Sequence, residues 1–79
     1  MNITYGITKE IYSIGKYRRV SYGIAAYANA KEHGTMNIIA AVHDVTADRR
    51  SLTRLVALCN RLDVSSIHLS DVVADFLAT

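Results

Sequence analysis

An internal disulfide is excluded by composition, because Cys59 is the single cysteine among 79 residues; a lone thiol also suits a reducing compartment. No apolar run approaches the roughly 20 residues that a membrane-spanning helix needs. The amino terminus, MNITYGITKE, lacks the basic stretch followed by an apolar run that marks a signal peptide. Net charge is small as well: nine Lys and Arg against seven Asp and Glu leave +2, too little to single out a nucleic-acid binder. These absences lead us to expect a soluble, cytoplasmic protein without membrane contact.

Motifs that carry chemistry are missing too. His33, His43 and His68 are scattered with no HxxxH or CxxC spacing, so a metal site would need ligands from distant elements. The glycines spell neither a phosphate loop nor a dinucleotide fingerprint, and there is no GxSxG. Cys59 falls between Leu55 and Leu62 in an apolar stripe, where a thiol packs as a small hydrophobe. His43 and Asp44 are adjacent, but neighbours in a regular strand point to opposite faces and form no dyad. His68 and Asp71, three apart, are spaced for a local hydrogen bond on a helix. The expectation is no enzyme, no metal and no cofactor.

What is present is a chain with 51% hydrophobic residues, rich enough to fold and short enough for one domain over 1–79. A chain of this length buries only about 60% of its unfolded surface, so self-association offers a way to bury more. Residues 2–13 and 17–28 are rich in Ile, Tyr, Thr and Val around Gly15, a hairpin signature. Pairing Tyr12 with Tyr17 leaves a four-residue loop, 13–16, and gathers Ile3, Tyr5, Ile7, Ile11, Val20, Tyr22, Ile24 and Ala26 on one face. That register sets Glu10 across from Arg19. Lys9 falls on the apolar face, to snorkel or to mark a bulge. Tyr-Gly-Ile occurs once in each strand, at 5–7 and 22–24.

A polar loop, NAKEHGT, precedes a third strand over 36–45. One face of that strand carries Met36, Ile38, Ala40 and Val42, the other Ile39, Ala41, His43 and Val45. Both are apolar, so if helices cover one side, Ile39, Ala41 and Val45 stand uncovered beside Tyr12, Tyr17 and Tyr27. The stretch 46–63 has Thr46 or Asp48 as N-cap, an apolar stripe of Leu52, Leu55, Val56, Cys59 and Leu62, and Arg50, Arg54 and Arg61 opposite. After DVSS, with Ser65 or Ser66 as cap, a second helix carries Leu69, Val72, Val73, Phe76 and Leu77 on one side and Asp71 and Asp75 on the other. The fold class is therefore α+β: a three-stranded antiparallel sheet, ordered β1-β2-β3, with two C-terminal helices on one face.

VSYGI at 20–24, HDVTAD at 43–48 and SSIHLSDVVADFL at 65–77 together resemble a family of small uncharacterised proteins from Firmicutes. That family runs from a Tyr-Gly-Ile strand through an Asp-(Ile/Val)-(Ser/Thr)-x-Asp helix start to a His-Leu-x-Asp-Val-Val-x-Asp-Phe-Leu segment. The last is matched by His68, Leu69, Asp71, Val72, Val73, Asp75, Phe76 and Leu77. The resemblance implies a bacterial, cytoplasmic, stand-alone domain and transfers no activity, cofactor or catalytic residue.

Two functional classes lead, with an enzyme or metal protein using His43, His68 or Cys59 as a minor third. One is a non-enzymatic interaction or regulatory module, homodimeric, acting on an unknown protein partner through the open sheet face, Ile39 included, or through the helix bearing Asp71 and Asp75. The other is nucleic-acid binding through Tyr12, Lys16, Tyr17 and Arg19 at the hairpin tip, where aromatics interleave with cations. A tip whose charges simply guard the sheet from aggregation is the plain alternative to both.

Overall fold

The computed structural model describes residues 3–30 and 35–78, except the side chains at 29, 30, 35 and 36. Strands β1 (Ile3–Ile14), β2 (Tyr17–Ala30) and β3 (Thr35–Thr46) form an antiparallel sheet in the order β1-β2-β3. Helices α1 (Arg49–Leu62) and α2 (Leu69–Ala78) pack on one face, joined through a 3₁₀ turn at Ser66–His68. His33, and most of the polar stretch 29–35, lie outside the described residues; both flanking strands run one or two residues further into that stretch than the sequence suggests. No helix among the described residues is long and apolar enough to cross a membrane.

The hairpin register differs from the expected one by two residues. Ile14 pairs with Tyr17 and Tyr12 with Arg19, leaving Gly15 and Lys16 as a two-residue loop. Gly15 has φ 59°, the positive value that the first central residue of a type II′ turn demands. A slip of two keeps every side chain on its face, so the apolar set survives while the cross-strand partners change. Glu10 therefore lies opposite Ser21, not Arg19. Lys9 pairs with Tyr22 without a bulge and its side chain is exposed, so it snorkels beside Ile7, Tyr22 and Arg49.

The core joins Tyr5, Ile24 and Ala26 of the hairpin to Val45, Leu52, Leu55, Cys59, Leu69 and Val73. Burial pushes the Cys59 thiol up from its ordinary value, which suits a packing role. Helix α1 starts on Asp48, whose carboxylate accepts from the backbone N–H of Arg50 (3.1 Å) and Ser51 (3.4 Å) and from the Ser51 hydroxyl (2.5 Å). It stops at Asp63, in the left-handed region with φ 53°. There the N–H of Asp63 reaches Asn60 O and that of Val64 reaches Cys59 O, a Schellman arrangement. At the start of the second helical segment neither serine caps by side chain: Ser65 precedes the 3₁₀ turn without a side-chain bond.

Two contacts fasten α1 and the following link to the outer strand. The Asn60 side chain accepts from Tyr5 N–H (2.7 Å) and donates to Tyr5 O (3.1 Å), and the Tyr5 hydroxyl donates to Val64 O (2.5 Å). Asn60→Ala removes both backbone contacts, worth about 0.5–1.5 kcal/mol each, while regaining about 0.5 kcal/mol of helix propensity. The net loss expected is about 1 kcal/mol, a fall in Tm of about 4–8 °C, measurable by thermal denaturation.

Candidate functional site

The sheet face turned away from the helices is uncovered, and its geometry is set by irregularities in β3. Ile24 pairs with Val42, but two residues earlier Tyr22 pairs with Thr46. Three residues of β3, His43 to Val45, thus oppose Gly23 alone, a bulge in which Asp44 adopts φ 53°. A Cβ at Gly23 would lie 2.5 Å from Val42 O and 3.2 Å from His43 Cα, so the bulge folds over this position because glycine occupies it.

The bulge overturns two sequence expectations. Val45 is buried in the core and does not belong to the open face. His43 and Asp44, set apart by regular strand geometry, both engage side chains of that face, since the left-handed residue breaks the alternation. They do not form a dyad with each other. Instead, His43 Nδ1 bonds the Glu10 carboxylate, and Asp44 accepts from the Ser21 hydroxyl (2.5 Å) and from both Arg19 nitrogens at 3.2 and 3.0 Å. The Tyr12 hydroxyl donates to Glu10 (2.6 Å) and the Arg19 guanidinium stacks 4.9 Å from the Tyr12 ring centre. Six side chains from three strands thus form one network: His43, Glu10, Tyr12, Arg19, Asp44 and Ser21.

Protonation follows from these partners. Hydrogen bonds from Tyr12 and then His43 hold the Glu10 carboxyl below the usual glutamate value, and Glu10 in turn raises the Tyr12 phenol. The Ser21 hydroxyl, followed by Arg19, holds Asp44 below the usual aspartate value, and Asp44 raises Arg19. Both carboxylates are thus favoured in their ionised form, Asp44 beside the Arg19 cation.

Apolar groups flank it at both ends. Ile14 and Tyr17, at the tip, are 79% and 72% exposed, and Ile38 and Ile39, at the far end, 62% and 42%. Ile38 reaches this face through a second bulge, where Ala26 pairs with Ala40 but Tyr27 pairs with Ile38. Ile39 is the extra residue there, which moves Ile38 off the helix-covered face predicted for it. Tyr27 lies over Gly6, whose added Cβ would meet the ring at 3.3 Å.

Of the residues singled out from sequence, Tyr12, Lys16, Tyr17 and Arg19 do gather at the tip. Each cation stands by a ring, Lys16 at 5.8 Å from Tyr17 and Arg19 over Tyr12. Tyr12, Ser13, Ile14, Tyr17, Arg18 and Arg19 line a depression of about 370 Å³. Asp71 and Asp75 are exposed on α2, on the other side of the molecule, and make no ion pair among the described residues. No hydrogen bond joins His68 to Asp71 among them. Sequence reasoning missed Glu10, Ser21, His43 and Asp44 as one cluster; an interior strand glycine, Gly23, was the available signal.

Two measurements test this geometry. Gly23→Ala drives a methyl group into β3 backbone and is expected to cost about 1–3 kcal/mol, read by urea unfolding. For Glu10, the folded value lies below the ordinary one, so its stabilisation is complete above the ordinary glutamate range and is lost as pH falls through the folded value. Urea unfolding of Glu10→Gln between neutral pH and pH ~3 is expected to show a shallower acid loss than the parent; parallel curves would refute the ionised pairing.

Searches of curated proteins and of solved structures return no match. The profile of the Family of unknown function (DUF6514) matches residues 1–79. The chain belongs to that family.

Proposed function

We propose that the protein is a non-enzymatic interaction module that self-associates and presents its open sheet face to a partner protein. The observation that carries this reading is the face itself. Six polar side chains near its centre are already bonded to one another, while Ile14, Tyr17, Ile38 and Ile39 stand exposed at its two ends. A pre-ordered polar centre between apolar ends suits docking, because little side-chain entropy remains to be lost on binding.

The same geometry weighs against the other classes. His43 and Glu10 resemble a base with its orienting carboxylate, yet the His43 side chain is 68% exposed and neither residue lines the depression at the tip. Such a pair faces bulk water, without the walls that exclude solvent from a reaction. Nucleic-acid binding would draw on unpaired cations and bare rings. At this tip Arg19 is held by Asp44, and Lys16 and Arg19 stand over the two tyrosines.

The test is capture by tagged protein from a lysate of cells that express it, with nuclease present. Wild-type protein is expected to retain a protein partner that a variant carrying Ile14→Asp and Ile38→Asp loses, with circular dichroism unchanged. Equal capture by both, or capture of nucleic acid alone when nuclease is omitted, would overturn the reading.

A further inference from the structure

The outer surface of the helical layer carries a second pattern, distinct from the open sheet face. On α1, Arg50, Arg54 and Arg61 fall within about 40° of one another on the helical wheel at 100° per residue, opposite the buried stripe of Leu52, Leu55 and Cys59. Arg54 and Arg61 border an apolar groove whose floor is Ala57 and Leu58, and a second groove joins Leu58 to Phe76 of α2. The first turn of α1 holds Arg49 and Arg50 and no acid, the opposite of what the helix dipole favours. Arg49 and Arg50 are therefore not placed to stabilise their own helix, whereas Arg61, in its last turn, is.

Helix α2 carries the complement. Opposite its buried Leu69 and Val73 it exposes Asp71, Ala74, Asp75 and Ala78, small side chains beside two anions and no cation. The anions and the α1 cations lie on one layer of one chain, yet none of Arg54, Arg61, Asp71 and Asp75 forms an ion pair among the described residues. Aspartates four residues apart on one face also repel mildly. A surface with a cationic apolar half and an anionic small-residue half fits a copy of itself turned by a twofold axis, since such an axis brings each half against the other twice.

We infer that the helical layer is the homodimer interface: Arg54 and Arg61 of each chain pair with Asp71 and Asp75 of the second copy, and Leu58 packs over the second copy's Ala74 and Ala78. This names the surface for the self-association included in the reading above and leaves the open sheet faces pointing outward on both sides. Charge matching across the axis selects the twofold arrangement over others, and the Leu58 contact supplies the apolar centre.

Charge reversal with exchange tests it. Sedimentation equilibrium of the wild-type chain is expected to give twice 8.7 kDa. A variant with Arg54→Glu and Arg61→Glu, and another with Asp71→Arg and Asp75→Arg, are each expected to sediment as monomers, because each would face its own sign twice. Mixed in equal amounts they are expected to form a heterodimer, both contacts being attractive again. Leu58→Asp gives a second route to the monomer should a reversal disturb folding, which circular dichroism reports. A wild-type monomer at every concentration, either reversal variant remaining dimeric, or a mixture that stays monomeric would overturn the assignment. The Ile14→Asp and Ile38→Asp variant separates the two ideas: it is expected to remain dimeric while losing its partner. If it becomes monomeric while the helix variants stay dimeric, the interface lies on the sheet instead.

Discussion

The close approach of β3 to Gly23 is the constraint on which this molecule's surface chemistry depends. With no side chain at that position, Val42 and His43 come within contact of the central strand, and three residues can crowd opposite one. Asp44 then takes up left-handed backbone geometry, uncommon for a residue with a Cβ though tolerated best by Asp and Asn. From that one departure follow three consequences at once. Val45 enters the core beside Leu52 and Leu69, His43 reaches Glu10, and Asp44 reaches Ser21 and Arg19.

The network that results is an ordering device more than a source of stability. Its Arg19–Asp44 ion pair is exposed, and pairs of that kind contribute little individually. What it does is fix the rotamers of six side chains drawn from three strands, so the sheet offers a defined polar surface. The two sides of the molecule differ in charge logic. On the sheet face opposite charges meet within the chain, whereas on the helical layer they are held apart, arginines on α1 and aspartates on α2.

Periodicity made the strands, the helices and the apolar faces of the hairpin legible from the sequence. It could not show the offset of the hairpin, because sliding one strand by two residues leaves every side chain on the same face; only the turn geometry at Gly15 distinguishes the two registers. The sequence pattern also assigned Val45 to the wrong side and kept His43 from Asp44, since alternation assumes a regular strand and a bulge at Asp44 leaves no periodic trace. The repeated Tyr-Gly-Ile did carry information. Gly6 lies under the Tyr27 ring and Gly23 lies under the bulge, two different uses of a missing Cβ in the middle of a strand. The tip residues were found because aromatic and cationic side chains at a hairpin end need no long-range register to be placed together.

The side-chain amide of Asn60 has the same donor and acceptor as a peptide group, and it occupies the outward-facing hydrogen-bonding position of Tyr5 as a rung from a fourth strand would. An incoming strand finds that position taken, and meets an exposed lysine, Lys9, further along the same edge. On the opposite edge the two bulges of β3 interrupt the even spacing that a regular ladder needs. The sheet's two edges are thus both poor templates for a further strand.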